Sequence, residues 1–161
     1  MDDGAEYRLA KVERIIEECP FGVHDLSSVA LDANTGLPRF NMPLELGLFL
    51  GCKRFGAGRH AEKSCLILDS EPYQYRQFIS DISGQDIHFH GGEPSQAITA
   101  VRNWLRAASR KTLPGGADVI ERYRRFLLRL PDTCAELHLQ PQALTFLDLS
   151  HVIRTWVRGV E

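Results

Sequence analysis

The chain lacks several features that would assign it to large classes of protein. It has no apolar run approaching the roughly 18 to 20 residues of a membrane span, so we expect no membrane partner. Its start, Met1-Asp-Asp-Gly, lacks the basic-then-apolar pattern of a signal peptide, and we therefore expect a cytoplasmic protein. The formal net charge is only −2, which does not indicate a nucleic-acid-binding protein.

The chain has four cysteines, which lie far apart without a C-x-x-C pair. This spacing indicates neither a disulfide framework nor a zinc site, so we expect buried free thiols in a reducing compartment. His88 and His90 alternate onto one face of a predicted strand, as a metal pair would. No third ligand accompanies them, and we predict no metal.

The 161 residues that are present suit one soluble globular domain with a small appendage. Three short apolar or aromatic runs predict strands at 21–25, 64–69 and 86–90. Helical periodicity predicts helices at 5–19, 42–52 and 73–83, and a fourth after Pro94. Because strands and helices alternate, the pattern favours an α/β fold with a parallel sheet.

The character of the sequence changes after Leu113-Pro-Gly-Gly116. Residues 117–138 and 144–158 predict two amphipathic helices and no strand. We therefore divide the chain into an α/β domain, residues 1–112, and an all-helical C-terminal extension, residues 113–161, packed on it. The arginines between 122 and 129 could touch phosphate or RNA, although a solvated helix face explains them more simply.

Polar residues stand where an open α/β sheet holds its ligands. Asp25 and Asp69 end two predicted strands, and such ligands bind outside the carboxyl ends of the strands. Asn41 and Glu45 are four residues apart on a helix and should share a face. Glu45 could instead favour the positive end of the helix dipole, with Asn41 as a plain N-cap.

Two ordered motifs give the chain a family resemblance over residues 5 to 106. The first motif consists of Asp25-Leu-Ser, Asn41, Glu45-Leu-Gly-Leu-Phe-Leu-Gly and Leu66-Ile-Leu-Asp69. The second motif is Ile79-Ser-Asp-Ile-Ser-Gly-Gln-Asp-Ile87. Together they resemble the TIR-like predicted nucleotide-binding proteins of bacteria, which share a broad group with the nucleoside 2-deoxyribosyltransferases. The resemblance implies a flavodoxin-like parallel sheet of about three strands flanked by helices.

The resemblance also implies a site and an activity. In catalytic members a glutamate acts at the anomeric carbon of a nucleoside or of the nicotinamide ribose of NAD, and Glu45 matches that position. Polar nucleotide-binding positions of the family fall on Asp25, Ser27 and Asn41, and Asp69 and Asp81 match the pattern. No cofactor is implied, because NAD or another nucleotide would be the ligand or substrate.

One departure from the family bears on the function. Measured against the family pattern, we expect this chain to enter at the helix before the third strand and to lack the opposite wall of the pocket, either because the start is placed too far downstream or because the chain is a trimmed version. From the resemblance, the first hypothesis is a nucleotide-binding protein that cleaves the N-glycosidic bond of NAD or a related nucleotide. The alternative is a non-catalytic nucleotide-sensing or self-association module in bacterial defence or signalling. In either case we expect a homo-oligomer formed through an exposed sheet edge or a helical face.

Overall fold

A computed structural model describes residues 7–27 and 40–159 of the chain. Five α-helices and three β-strands are found in these ranges. In chain order they are α1 (Arg8–Glu18), β1 (Phe21–Asp25), α2 (Asn41–Phe55), β2 (Ser64–Asp69), β3 (Ile87–Phe89), α3 (Pro94–Ser109), α4 (Gly116–Glu136) and α5 (Phe146–Arg158). Most of the loop predicted at 26–40 lies outside the described residues.

The three strands form one parallel sheet in the order β1-β2-β3. β1 runs beside β2 with Phe21 opposite Ser64, and β2 runs beside β3 with Ile67 opposite Ile87. β2 is the central strand, and its last four residues are all buried. This continuous burial is typical of a parallel strand covered on both faces, and the predicted flavodoxin-like α/β class is confirmed.

Helices cover both faces of the sheet. The ring of His24 packs against Phe49 of α2, with ring centroids 5.2 Å apart. Phe21, three positions earlier on β1, meets Trp104 of α3 edge to face at 5.9 Å. Because neighbouring residues of a strand point to opposite faces, α2 and α3 lie on opposite sides of the sheet.

The main core cluster lies on the α2 side of the sheet. Its buried members are Leu26, Leu46, Ile67, Tyr75 and Ile87. They come from the end of β1, from α2, from β2, from the β2–β3 connection and from β3. The carboxyl end of the sheet is therefore anchored by apolar packing on this side.

The connection from β2 to β3 differs from the predicted helix at 73–83. It contains two 3₁₀ helices, Gln74–Gln77 and Ser80–Ile82. Tyr73 has a positive φ of 65°, a conformation that an α-helix cannot include. The backbone N–H of Tyr75 donates to Asp69 Oδ2 at 3.1 Å, and its side chain enters the core. These tertiary contacts outweigh the helical periodicity of the segment.

Residues Met1–Leu113 and Pro114–Glu161 form two compact units. In the second unit α4 and α5 pack against each other, with the rings of Phe126 and Trp156 5.5 Å apart. The start of α5 carries a capping box, because Thr145 accepts from the backbone N–H of Asp148 and Asp148 accepts from that of Thr145. Within the described residues the C-terminal unit thus contains helices and no strand, as predicted.

Candidate functional site

Three polar side chains meet at the carboxyl end of the sheet. Asp25, the last residue of β1, accepts two hydrogen bonds at Oδ1 from Ser27, one from its backbone N–H at 2.9 Å and one from its hydroxyl at 2.5 Å. The Ser27 oxygen also lies 2.8 Å from Nε2 of His90, which directly follows β3. The same Nε2 is 3.6 Å from Asp25 Oδ1. We call Asp25, Ser27 and His90 the strand-end cluster.

The hydrogen bond on the far side of the His90 ring decides where its proton lies. The backbone N–H of Gly92 donates to His90 Nδ1 at 3.2 Å, so Nδ1 is an acceptor. The neutral ring therefore carries its proton on Nε2 and donates it to the Ser27 oxygen. The Ser27 hydroxyl then donates to Asp25, and the network runs in one direction from Gly92 to Asp25.

This polarity distinguishes the strand-end cluster from a hydrolytic Ser-His-Asp triad. In a triad the histidine accepts the serine proton, and the carboxylate holds the opposite nitrogen of the ring. Here His90 donates to Ser27, and the carboxylate of Asp25 accepts the serine proton. The arrangement is suited to orienting Asp25 rather than to activating Ser27 as a nucleophile.

Asp25 is a carboxylate that is held in place and still accessible. Burial alone would raise its pKa, but the hydrogen bonds, chiefly those from the Ser27 hydroxyl and backbone N–H, outweigh burial and lower it. Asp25 is therefore ionised at neutral pH, and its side chain is 48% exposed while that of His90 is 10% exposed. A fixed, exposed carboxylate can accept hydrogen bonds from ligand hydroxyl or amino groups.

Asp69, at the end of the neighbouring strand β2, has a different role. It is fully buried, and its two oxygens accept from the backbone N–H groups of Ser70 and Tyr75. Burial raises its pKa despite these hydrogen bonds, and the charge of Asp25 adds to the effect. Asp69 fixes the turn after β2 and supports the strand-end cluster without exposing a binding surface.

Glu45 and Asn41 lie elsewhere in the first unit. They face the same way, as predicted from their spacing, because both line a cavity of about 270 Å³ with residues of α1. Glu45 also lines an adjoining cavity of about 260 Å³ between α1, β1 and α2, whose walls include Ile16, His24 and Phe49. No residue of the strand-end cluster is among the residues lining these two cavities.

The start of α2 does not fit the alternative in which Asn41 is the N-cap and Glu45 interacts with the positive end of the helix dipole. α2 begins at Asn41 itself, and Phe40 occupies the N-cap position without a side-chain hydrogen bond. Asn41 is therefore not the N-cap, and Glu45 lies beyond the first helical turn. Interaction with the positive end of the helix dipole therefore does not explain the carboxylate of Glu45.

The remaining predicted residue, Asp81, is exposed within the 3₁₀ helix Ser80–Ile82. In the described part of the chain no hydrogen bond or ion pair joins it to Asp25, Ser27 or Glu45. The predicted site residues are thus divided among the strand-end cluster, the cavities beside α1 and an isolated position. Only Asp25, Ser27 and Asp69 gather at the carboxyl end of the sheet.

His90 is the site residue that the sequence interpretation missed, since it was considered only as half of a metal pair with His88. It follows β3 directly, as Asp25 and Asp69 end their strands, so its position was the available signal. His88 instead lies 3.7 Å from Asp86. Among the described residues no three metal-ligating side chains gather, and no described helix is long and apolar enough to cross a membrane.

No family model, curated protein or solved structure matches the chain. The resemblance to the TIR-like nucleotide-binding proteins therefore stays a prediction. The function has to be argued from the strand-end cluster and from the surroundings of Glu45.

Proposed function

We propose that the chain binds a nucleotide, such as NAD, at the carboxyl end of its sheet, with Asp25 as the residue that contacts the ligand. The observation that carries the proposal is the strand-end cluster, in which Ser27 and His90 hold an ionised and half-exposed carboxylate. Ligands of open α/β sheets bind at this end of the strands. Ribose hydroxyls and the amino group of a base are donors that suit such a carboxylate.

A matched pair of variants tests this proposal. Asp25→Asn keeps the shape of the side chain but removes its charge, and should weaken nucleotide binding at least about tenfold, since hydrogen bonds to charged groups contribute about 1.5–3 kcal/mol. Asp81→Asn makes the same change at the isolated position and should leave affinity unchanged. Titration calorimetry with NAD and adenosine measures both. Absence of binding by the unmutated protein, or equal loss in the two variants, would contradict the proposal.

The resemblance assigns a catalytic step to Glu45, and one observation favours keeping it as a second candidate function. Glu45 is half-buried and lines a cavity whose other walls are largely apolar. A carboxylate in such surroundings can stabilise the positive charge that develops on the sugar when an N-glycosidic bond breaks. Under this candidate function the chain is a hydrolase or ribosyltransferase that acts on NAD or a related nucleotide.

Nicotinamide release from NAD tests the catalytic step. Glu45→Gln should abolish release by the unmutated protein, and Glu62→Gln, a change of an exposed glutamate, should leave it unchanged. If the unmutated protein binds NAD but releases no nicotinamide at high protein concentration, the enzyme hypothesis fails and the nucleotide-sensing module stands. We would then place the chain among self-associating modules of bacterial defence or signalling in the cytoplasm.

Self-association is supported by the open edge of β1. Ser64 N donates to Pro20 O and Leu26 N donates to Leu68 O, so the residues of even number in β1 face β2. Phe21, Val23 and Asp25 therefore direct their backbone N–H and C=O groups away from the described sheet. Val23 is 47% exposed, and an apolar edge whose backbone groups point away from the described sheet can pair with a second copy.

A further inference from the structure

The end of α2 brings a thiol and an imidazole together, away from the strand-end cluster. Cys52 Sγ lies 3.6 Å from His60 Nδ1, within hydrogen-bond distance for sulfur. Both side chains are half-buried, so the pair is held by the fold and still reachable from solvent. The two residues are close because α2 ends at Phe55 and the chain then reverses through the 3₁₀ helix Gly58–His60.

Two glycines build this reversal. Gly56 is in close contact with both partners, since a Cβ placed there would overlap the backbone oxygen of Cys52 and the Cβ of His60. Gly58 has a φ of +57°, in the left-handed region that other residues rarely adopt. The local sequence therefore fixes His60 against Cys52.

We propose that Cys52 and His60 form a reactive thiol site that undergoes thiol–disulfide exchange with small disulfides. Cys52 gives its proton to His60 Nδ1, and its sulfur attacks one sulfur of the disulfide. A new S–S bond forms on Cys52 as the bond within the small disulfide breaks. The leaving thiolate takes the proton from His60, so Cys52 is oxidised to a mixed disulfide and one half of the reagent is reduced to a thiol.

The other three cysteines of the chain are not arranged for the same reaction. Cys134 is fully buried, and burial raises the pKa of the Cys65 thiol even though the charge of Lys53 opposes the rise. Cys19 is half-buried like Cys52, but within the described ranges no imidazole lies within hydrogen-bond distance of its sulfur. Cys19 is therefore an internal control of comparable exposure.

The test is the rate at which each cysteine of the full chain reacts with hydroxyethyl disulfide at pH 7, followed by acid quenching and peptide mass spectrometry. We expect Cys52 to react at least about tenfold faster than Cys19, because assistance by a positioned base contributes a factor of that order or more. His60→Gln should slow Cys52 about tenfold and leave Cys19 unchanged, while His88→Gln should change neither rate.

Two results would overturn the proposal. One is equal reactivity of Cys52 and Cys19 in the unmutated protein, a comparison that needs no variant to fold. The other is an unchanged Cys52 rate in a folded His60→Gln variant. Circular dichroism and the Cys19 rate show whether that variant keeps the fold.

Discussion

Lys63 places an ammonium group in the interior of the first unit, where the residue is only 1% exposed. Its Nζ donates to the backbone oxygens of Ile16 at 2.5 Å, Glu17 at 3.3 Å and Cys19 at 2.6 Å. These carbonyls belong to the end of α1, where helical carbonyls have no intrahelical partner. The same Nζ lies 5.5 Å from the ring centroid of Phe49, so Lys63 ties α1 to α2 and to the start of β2.

Replacing Lys63 by Met should destabilise the first unit by about 2–4 kcal/mol, because the partly buried carbonyls at the end of α1 lose their charged donor. Urea denaturation followed by Trp104 fluorescence in a Trp156→Phe background measures the change. Lys111→Met alters an exposed lysine and should change the free energy of unfolding by less than about 0.5 kcal/mol. Equal stability of the two variants would show that the Lys63 hydrogen bonds contribute little.

His24, like Lys63, is a buried polar residue of the first unit. It is 8% exposed, and its Nε2 has no hydrogen-bond partner among the described residues. The ring lies over Gly22, where an added Cβ would be 2.8 Å from Nε2, so Gly22 provides the space that the imidazole occupies. Core packing is the role that these contacts give His24.

Burial lowers the pKa of His24, and this predicts a pH dependence of stability. The unfolded chain binds a proton near pH 6.5, whereas the folded chain resists protonation until a lower pH. Stability should therefore be fully present above about pH 6.5 and be lost as the pH falls, by at most about 1.4 kcal/mol per pH unit from this group. Urea denaturation between pH 8 and pH 5 should show this loss, and His24→Leu should remove that component. His88→Leu, at an exposed histidine, should retain it; the same slope in both variants would exclude His24 as the cause.

At the scale of whole elements, periodicity predicted most of the fold. All three strands and the helices at α1, α2, α3, α4 and α5 occur within a few residues of their predicted positions. The helix at 73–83 is wrong, because the conformation there is set by hydrogen bonds to Asp69 and by burial of Tyr75. Such contacts join residues that the local pattern treats separately, so periodicity could not reveal them.

The candidate site was predictable only in part, for a related reason. A carboxylate at a strand end can be identified from sequence, which is why Asp25 and Asp69 were predicted. The pairing of Ser27 with His90 spans 63 positions and depends on which strands are neighbours. The position of Glu45 depends on α1 packing against α2, and no local motif specifies that arrangement.

Pro131 is an element-scale anomaly, since it lies inside α4. A proline there removes one backbone hydrogen bond and crowds the carbonyl four residues earlier. Pro131→Ala should therefore stabilise the second unit, by about 1–3 kcal/mol. Pro141 occupies the first position of the 3₁₀ helix Pro141–Ala143, where a backbone N–H would have no partner within the helix. Pro141→Ala should therefore not raise the free energy of unfolding.

Trp156 fluorescence in a Trp104→Phe background reports the unfolding of this unit, because Trp156 packs against Phe126 across the α4–α5 contact. A Pro131→Ala variant no more stable than the unmutated protein would mean that α4 already accommodates the proline without loss.

At the scale of the molecule, each unit exposes apolar surface that could join two copies. The sheet has two edges with different chemistry. β3 is three residues long and carries His88 near Asp86, whereas β1 is five residues long and exposes Val23. Charged residues and short strands protect an edge from pairing, so of the two edges in the described part of the chain β1 is the one suited to pairing with a second copy. In the second unit Leu128 of α4 and Leu147 of α5 are 78% and 62% exposed, and these helices offer the competing apolar surface.

One substitution on each surface decides between them, because a lysine introduced into a pairing edge or an apolar contact is strongly disfavoured there. We expect the unmutated protein to self-associate at tens of micromolar in sedimentation velocity, and Val23→Lys to shift it to the monomer. His88→Lys, on the opposite edge, should leave the distribution unchanged. If Leu147→Lys gives the monomer and Val23→Lys does not, the helical face joins the copies. A monomer at all concentrations before any substitution would contradict self-association altogether.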